Sequence, residues 1–260
     1  MSAGTFTPGP GAAPVSRMIF AQTALETRML LRNGEQLLLT VIIPALLLVL
    51  FSTVDIVAVP AREGGPGRSV DFLAPGVLAL AVLSTAFTGQ AIATGFDRRY
   101  GVLKRLGASP LPRWALLTAK TLSVLVTEVL QVALLSVIAL ALGWSPQGNP
   151  LSVAALLLLG TAAFSGLGLL MAGTLKAEVT LAAANLVFLL LLVGGGVIVP
   201  MEKFPEAVRS VLELLPITAL SDGLRAVLRD GAGLPWGDAA VLAVWSALGL
   251  GAAARFFRWE

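Results

Sequence analysis

Apolar runs long enough to cross a lipid bilayer recur along this chain, and Val179 to Val199 is the cleanest of them. A hydrocarbon core about 30 Å thick takes about 20 apolar residues per helical span, and only helices or closed barrels satisfy every backbone polar group inside it. Runs of that kind fall at 37 to 56, 72 to 94, 116 to 142, 151 to 174, 179 to 199 and 236 to 254. Composition agrees, since 57% of the 260 residues are hydrophobic and 13% charged, against about 25% charged in soluble domains. The expected fold class is therefore an all-α integral membrane protein with six transmembrane helices. Residues 17 to 260 form its single membrane domain, and residues 1 to 16, rich in Gly, Pro and Ala, form a disordered tail.

Local patterns refine this outline. Pro44 inside the first run predicts a kink, tolerated where neighbouring helices serve the freed carbonyl. From Arg17 to Asn33, Met18, Leu25 and Met29 recur near one face, with Arg28 and Arg32 one turn apart on another. That spacing predicts an N-terminal helix lying in the membrane interface, in contact with lipid. With the N-terminus inside, twelve of the 18 Lys and Arg residues fall on the cytoplasmic side. The positive-inside rule then puts both termini in the cytoplasm, as an even number of spans requires. Between spans five and six, Pro200 to Pro235 is expected to hold a short outer helical hairpin, with a helix starting near Pro205 and a second leading to Arg229.

Several chemistries are excluded by residue type. The chain has no Cys and no His, so thiolate or imidazole metal sites and histidine acid-base catalysis are absent. No metal site is expected, and no catalytic residue. The net charge of +3 reflects loop placement in a membrane protein and does not imply nucleic acid. No Gly-x-x-x-x-Gly-Lys-Ser/Thr segment is present to cradle nucleotide phosphates, so this chain binds no ATP through such a loop.

The connection between spans two and three, Gly95 to Trp114, is dense in charge and ends in a Pro-x-Pro turn. A short charged helix held between two spans is an element through which a soluble motor can push on a bundle by ion pairs and hydrogen bonds. Contact with anionic head groups is the other reading of the same charge.

The residues of this connection carry a resemblance. Phe96-Asp97-Arg98-Arg99-Tyr100-Gly101-Val102-Leu103-Lys104-Arg105-Leu106, then Ala108-Ser109-Pro110-Leu111-Pro112-Arg113-Trp114 and Lys120, resemble the membrane subunits of type-2 ABC exporters, relatives of drug and antibiotic-resistance permeases. Gly195 to Pro200, Phe204-Pro205 and Leu215-Pro216-Ile217-Thr218 up to Leu224-Arg225 are similar to the same family's outer hairpin. Arg99 stands where the family usually has a second acid, and Val102 where it has Thr.

The resemblance implies a plasma-membrane permease whose cytoplasmic coupling helix, through Asp97, Arg98, Arg99, Gly101, Leu103, Lys104 and Arg105, meets a separate ATPase subunit. It implies that ATP and Mg are held by that partner, and that a second copy of the permease or a related one completes the pore. Export of a hydrophobic or amphipathic substrate is the activity implied.

Polar residues within the spans are candidates for a substrate path. Glu128 lies near the middle of the third span, where an ionised carboxylate costs about 3 kcal/mol unless it faces protein or water. Gln131, three residues on, shares its face, with Thr127 nearby. Asn185 in the fifth span and Ser84, Thr85, Thr88 and Gln90 in the second complete the set, and the resemblance implies that those two spans face the central cavity. Hydrogen bonding between helices is the competing role for all of them, and Gly168 with Ala172 reads as helix packing.

Two other functions fit parts of the sequence. A proton-coupled secondary transporter would use Glu128 and need no ATPase. A lipid-synthesis enzyme is suggested by Ser221-Asp222-Gly223-Leu224-Arg225 with Asp230 and Asp238, but the Asp-Gly-x-x-Ala-Arg order and the spacing of the later acids fail.

Overall fold

A computed structural model describes residues 13–34, 38–53, 69–197 and 205–257. Most of the expected tail, residues 198 to 200 and Phe204 lie outside the described residues. Every regular element within them is helical. Helix α1 (Val15–Arg32) begins after Pro14, and α2 is a π-wound turn, Leu38–Ile42, running into Ile43–Thr53. Helix α3 spans Ser69–Arg99, α4 spans Val102–Gly107 and α5 spans Arg113–Ala141. Then come α6 (Pro150–Thr174), α7 (Ala177–Gly194), α8 (Glu206–Leu212), α9 (Pro216–Leu228) and α10 (Trp236–Phe256).

Among the described residues five helices, in α3, α5, α6, α7 and α10, are long and apolar enough to cross a membrane. The first expected span, 37 to 56, is described only as the shorter apolar helix Thr40–Thr53, and its flanks lie outside the described residues. Proline explains the wide turn that opens α2. Pro44 has no N–H for the carbonyl of Thr40, so the α ladder cannot close there and the chain winds more loosely just before it.

Helix α3 is the centre of the bundle. Of its most apolar stretch, 94% is buried inside the protein, with α2, α5, α6, α7 and α9 packed around it. It is longer than the expected 72 to 94. Its charged last turn stays helical because neighbouring helices hold those charges, as described below. A second π-wound stretch, Leu83–Gly89, lies at its middle.

The longest packing interface joins α6 and α10, where backbones approach closely. A Cβ on Gly166 would lie 2.5 Å from the Leu250 nitrogen, so only glycine fits. Gly168 is pressed likewise against the Phe87 carbonyl of α3, at 2.8 Å from such a Cβ, in keeping with its reading as a packing residue. Asn149 caps α6 by accepting from the Leu151 N–H at 2.9 Å, with Pro150 at the first helical position.

The segment expected as an outer hairpin divides in two. Helix α8 is short and largely exposed, whereas α9 is buried along nearly its whole length between α3, α6 and α10. Arg225 secures it. Its guanidinium donates to the Val197 carbonyl at 2.8 Å and pairs with Asp222 at 2.9 Å. The same group lies 4.0 Å above the Phe72 ring, an arrangement suited to the planar, weakly hydrated guanidinium. The Ser-Asp-Gly-Leu-Arg segment thus ties α9 to the start of α3, and its acid is held by its own arginine.

Candidate functional site: a charged helix end joined to an interhelical cavity

At the α4 end of the bundle, the residues read from sequence as one charged loop divide by direction. Helix α3 continues through Asp97, Arg98 and Arg99, and these three turn inward or sideways to other helices. Asp97 accepts from Lys120 of α5 at 2.8 Å, and the same ammonium pairs with Glu26 of α1 at 3.0 Å. The Lys120 side chain is 4% exposed, and the two carboxylates compensate a charge removed from water. Arg98 donates to the carbonyls of Ala172 at 2.9 Å and Leu175 at 2.7 Å, a cation capping the carboxyl end of α6. Arg99 pairs with Glu178 at the start of α7.

Three helices, α5, α6 and α7, therefore meet the last turn of α3 through charge, and α1 joins them through Lys120. Beyond it, Gly101 adopts φ 70°, the left-handed conformation that glycine accepts without strain, and reverses the chain into α4. Leu103 is fully buried in a separate apolar cluster with Leu116, Leu169, Ala253 and Phe257. That anchor leaves Lys104 and Arg105 on the exposed side of α4, together with Tyr100, which is 66% exposed. Of the seven residues proposed from sequence, Asp97, Arg98 and Arg99 brace the protein internally, Gly101 and Leu103 set the position of α4, and Lys104 and Arg105 present charge outward.

The candidate path residues also separate into two sets. Ser84 and Thr88 of α3 and Asn185 of α7 line one cavity of about 490 Å³ with Asn33, Thr40, Ile92, Phe96 and Leu181. The Thr88 hydroxyl has no hydrogen-bond partner among the described residues. Asn185 donates to the Leu181 carbonyl one turn back, at 2.9 Å. Among the described residues no charged side chain lines this space. Sequence reading had no signal for Asn33 or Thr40, because neither lies in a polar pattern of its own.

Glu128 and Gln131 are elsewhere. Both are buried and neither lines that cavity. The Thr161 hydroxyl of α6 donates to Glu128. Gln131 accepts from the Thr85 hydroxyl at 2.9 Å and donates to the Thr40 carbonyl. Their shared helix face is a set of joints to three different helices. Gln90 is buried on α3, and neither atom of its amide has a partner among the described residues.

Comparison with known proteins places these features. Residues 18–228 match the model of the family described as ABC-2 type transporter. A protein of Bacillus subtilis (strain 168), "Putative transport permease YvfS", is 24% identical over 218 residues, covering 81% of this chain and 85% of that protein.

Proposed function

The chain belongs to the ABC-2 type transporter family, and on that premise we propose that it is the permease subunit of an exporter driven by a separate ATPase. Its direction is outward, and its cargo is an uncharged or amphipathic molecule. One observation carries the reading: a single enclosed helix, α3, bears the cavity residues Ser84 and Thr88 at its middle and delivers the exposed helix α4 at its end. A push on α4 is passed to α3 through Gly101 and the Leu103 anchor. The ion pairs of Asp97 and Arg99 and the Arg98 cap spread it to α5, α7 and α6.

In this reading the α4 end faces the cytoplasm of a plasma-membrane protein, with both termini on that side. Lys104 and Arg105 meet the ATPase, which holds ATP and Mg. A second copy of the chain, or a related permease, closes the open side of the cavity against the exposed apolar faces of α2 and α7, including Leu46, Leu50, Leu186 and Leu190. The described lining, polar but uncharged, supports a cargo that makes hydrogen bonds and apolar contacts. A drug or antibiotic is one such cargo. Proton coupling through Glu128 has less support, since that carboxyl is joined to Thr161 away from the cavity.

The test is co-assembly. The double variant Lys104→Glu, Arg105→Glu should insert and fold normally yet lose at least tenfold in capture of the ATPase subunit in a two-subunit purification. Unchanged capture, or substrate transport by this chain in vesicles lacking any ATPase, would overturn the proposal.

A further inference from the structure

Helix α1 carries one acid, Glu26, and its three bases are Arg17, Arg28 and Arg32. Glu26 is spent inside the protein: it pairs with Lys120 and accepts from Gln22 at 2.9 Å. What α1 offers outward is therefore basic. Arg28 and Arg32, one turn apart and exposed, have no ion-pair partner among the described residues.

The two arginines border a groove of about 580 Å³ between α1 and α5, whose walls are Phe20, Thr23, Thr27, Leu31 and Val126. Thr27 contributes a buried hydroxyl with no partner among the described residues. Val126 lies six residues beyond Lys120, about 9 Å further along α5, and the groove opens there onto a continuous exposed apolar strip. Val129, Leu130, Leu134 and Val137 form it, Val129 being 67% exposed.

Two guanidiniums without ion-pair partners among the described residues and an apolar rail beginning at the same place match the parts of one molecule. We propose that the groove between α1 and α5 binds an anionic phospholipid, with its phosphate on Arg28 and Arg32 and its acyl chains along Val126 and Val129. Arginine forks take phosphate oxygens in a bidentate manner. The bound lipid would hold α1 against α5 from the membrane side as Lys120 holds it from within.

The experiment uses the full chain in detergent and native mass spectrometry of lipid retained after titration with phosphatidylglycerol or phosphatidylcholine. Phosphatidylglycerol should be retained at concentrations where phosphatidylcholine is not. The double variant Arg28→Gln, Arg32→Gln should weaken that retention by about thirtyfold, from about 1 kcal/mol per basic residue at a membrane surface and tenfold per 1.4 kcal/mol. Arg28→Lys with Arg32→Lys, which keeps the charge and loses the fork, should recover only part of it, and Arg17→Gln should leave it intact. Equal retention of the two lipids, undiminished retention by the folded glutamine variant, or displacement of phosphatidylglycerol by millimolar inorganic phosphate alone would overturn the proposal.

Discussion

Gln131 of α5 donates to the carbonyl of Thr40, the carbonyl that Pro44 cannot serve. The proline that loosens α2 is thus matched by a side chain from another helix. The other end of the Gln131 amide accepts from Thr85, so one residue joins three helices near the middle of the bundle.

Replacing Gln131 with Leu should lower thermal stability in detergent by about 1 kcal/mol, in the range of interhelical hydrogen bonds in membrane proteins. Transport by the assembled complex should persist at permissive temperature. The Glu128→Gln variant can keep its hydrogen bond to Thr161 and should change stability by less than about 1 kcal/mol, with export intact. Loss of export from a normally assembled Glu128→Gln complex would place that carboxyl on the working path.

Lys120→Met should be far more damaging, because it leaves Glu26 and Asp97 facing each other without their cation. Removing one member of a buried charge cluster costs about 3 kcal/mol or more, and here it also releases α1 from α5. Limited proteolysis should cut α1 faster in the variant, and adding Glu26→Gln and Asp97→Asn should recover much of the loss.

Charge changes at the α4 end should sort by direction. Arg98→Gln removes the cap on the Ala172 and Leu175 carbonyls and should destabilise the chain by about 1 to 2 kcal/mol. Lys104→Glu should leave thermal stability within about 0.5 kcal/mol. Melting curves of the two variants side by side check this.

Gly166→Val should prevent close packing of α6 on α10, since a Cβ would already lie 2.5 Å from the Leu250 nitrogen and 2.6 Å from the Gly249 carbonyl carbon. The expected cost is about 3 kcal/mol, read as loss of a monodisperse peak in size-exclusion chromatography.

The spans were legible because hydrophobic runs are local, and α5, α6 and α10 begin and end within a few residues of their sequence limits. The end of α3 was not, since Asp97, Arg98 and Arg99 look like loop charge until Lys120, Ala172 and Glu178 appear beside them. Those partners lie 23, 74 and 79 residues away, and no window of sequence contains both sides. The same limit hid the burial of α9, whose Arg225 reads as a surface charge on its own. Ser84, Thr88 and Asn185 could be picked out as polar residues in apolar helices. That they share a cavity while Glu128 and Gln131 do not depends on helix rotation, which composition leaves open.

Helix α3 has almost no face left for lipid, and four of the elements that enclose it, α5, α6, α7 and α9, follow it along the chain. During synthesis, then, the core of this protein is made before its walls. A ribosome stalled ahead of Leu228 would leave the central helix in the bilayer with its neighbours incomplete, and its Ser, Thr and Gln side chains turned toward acyl chains.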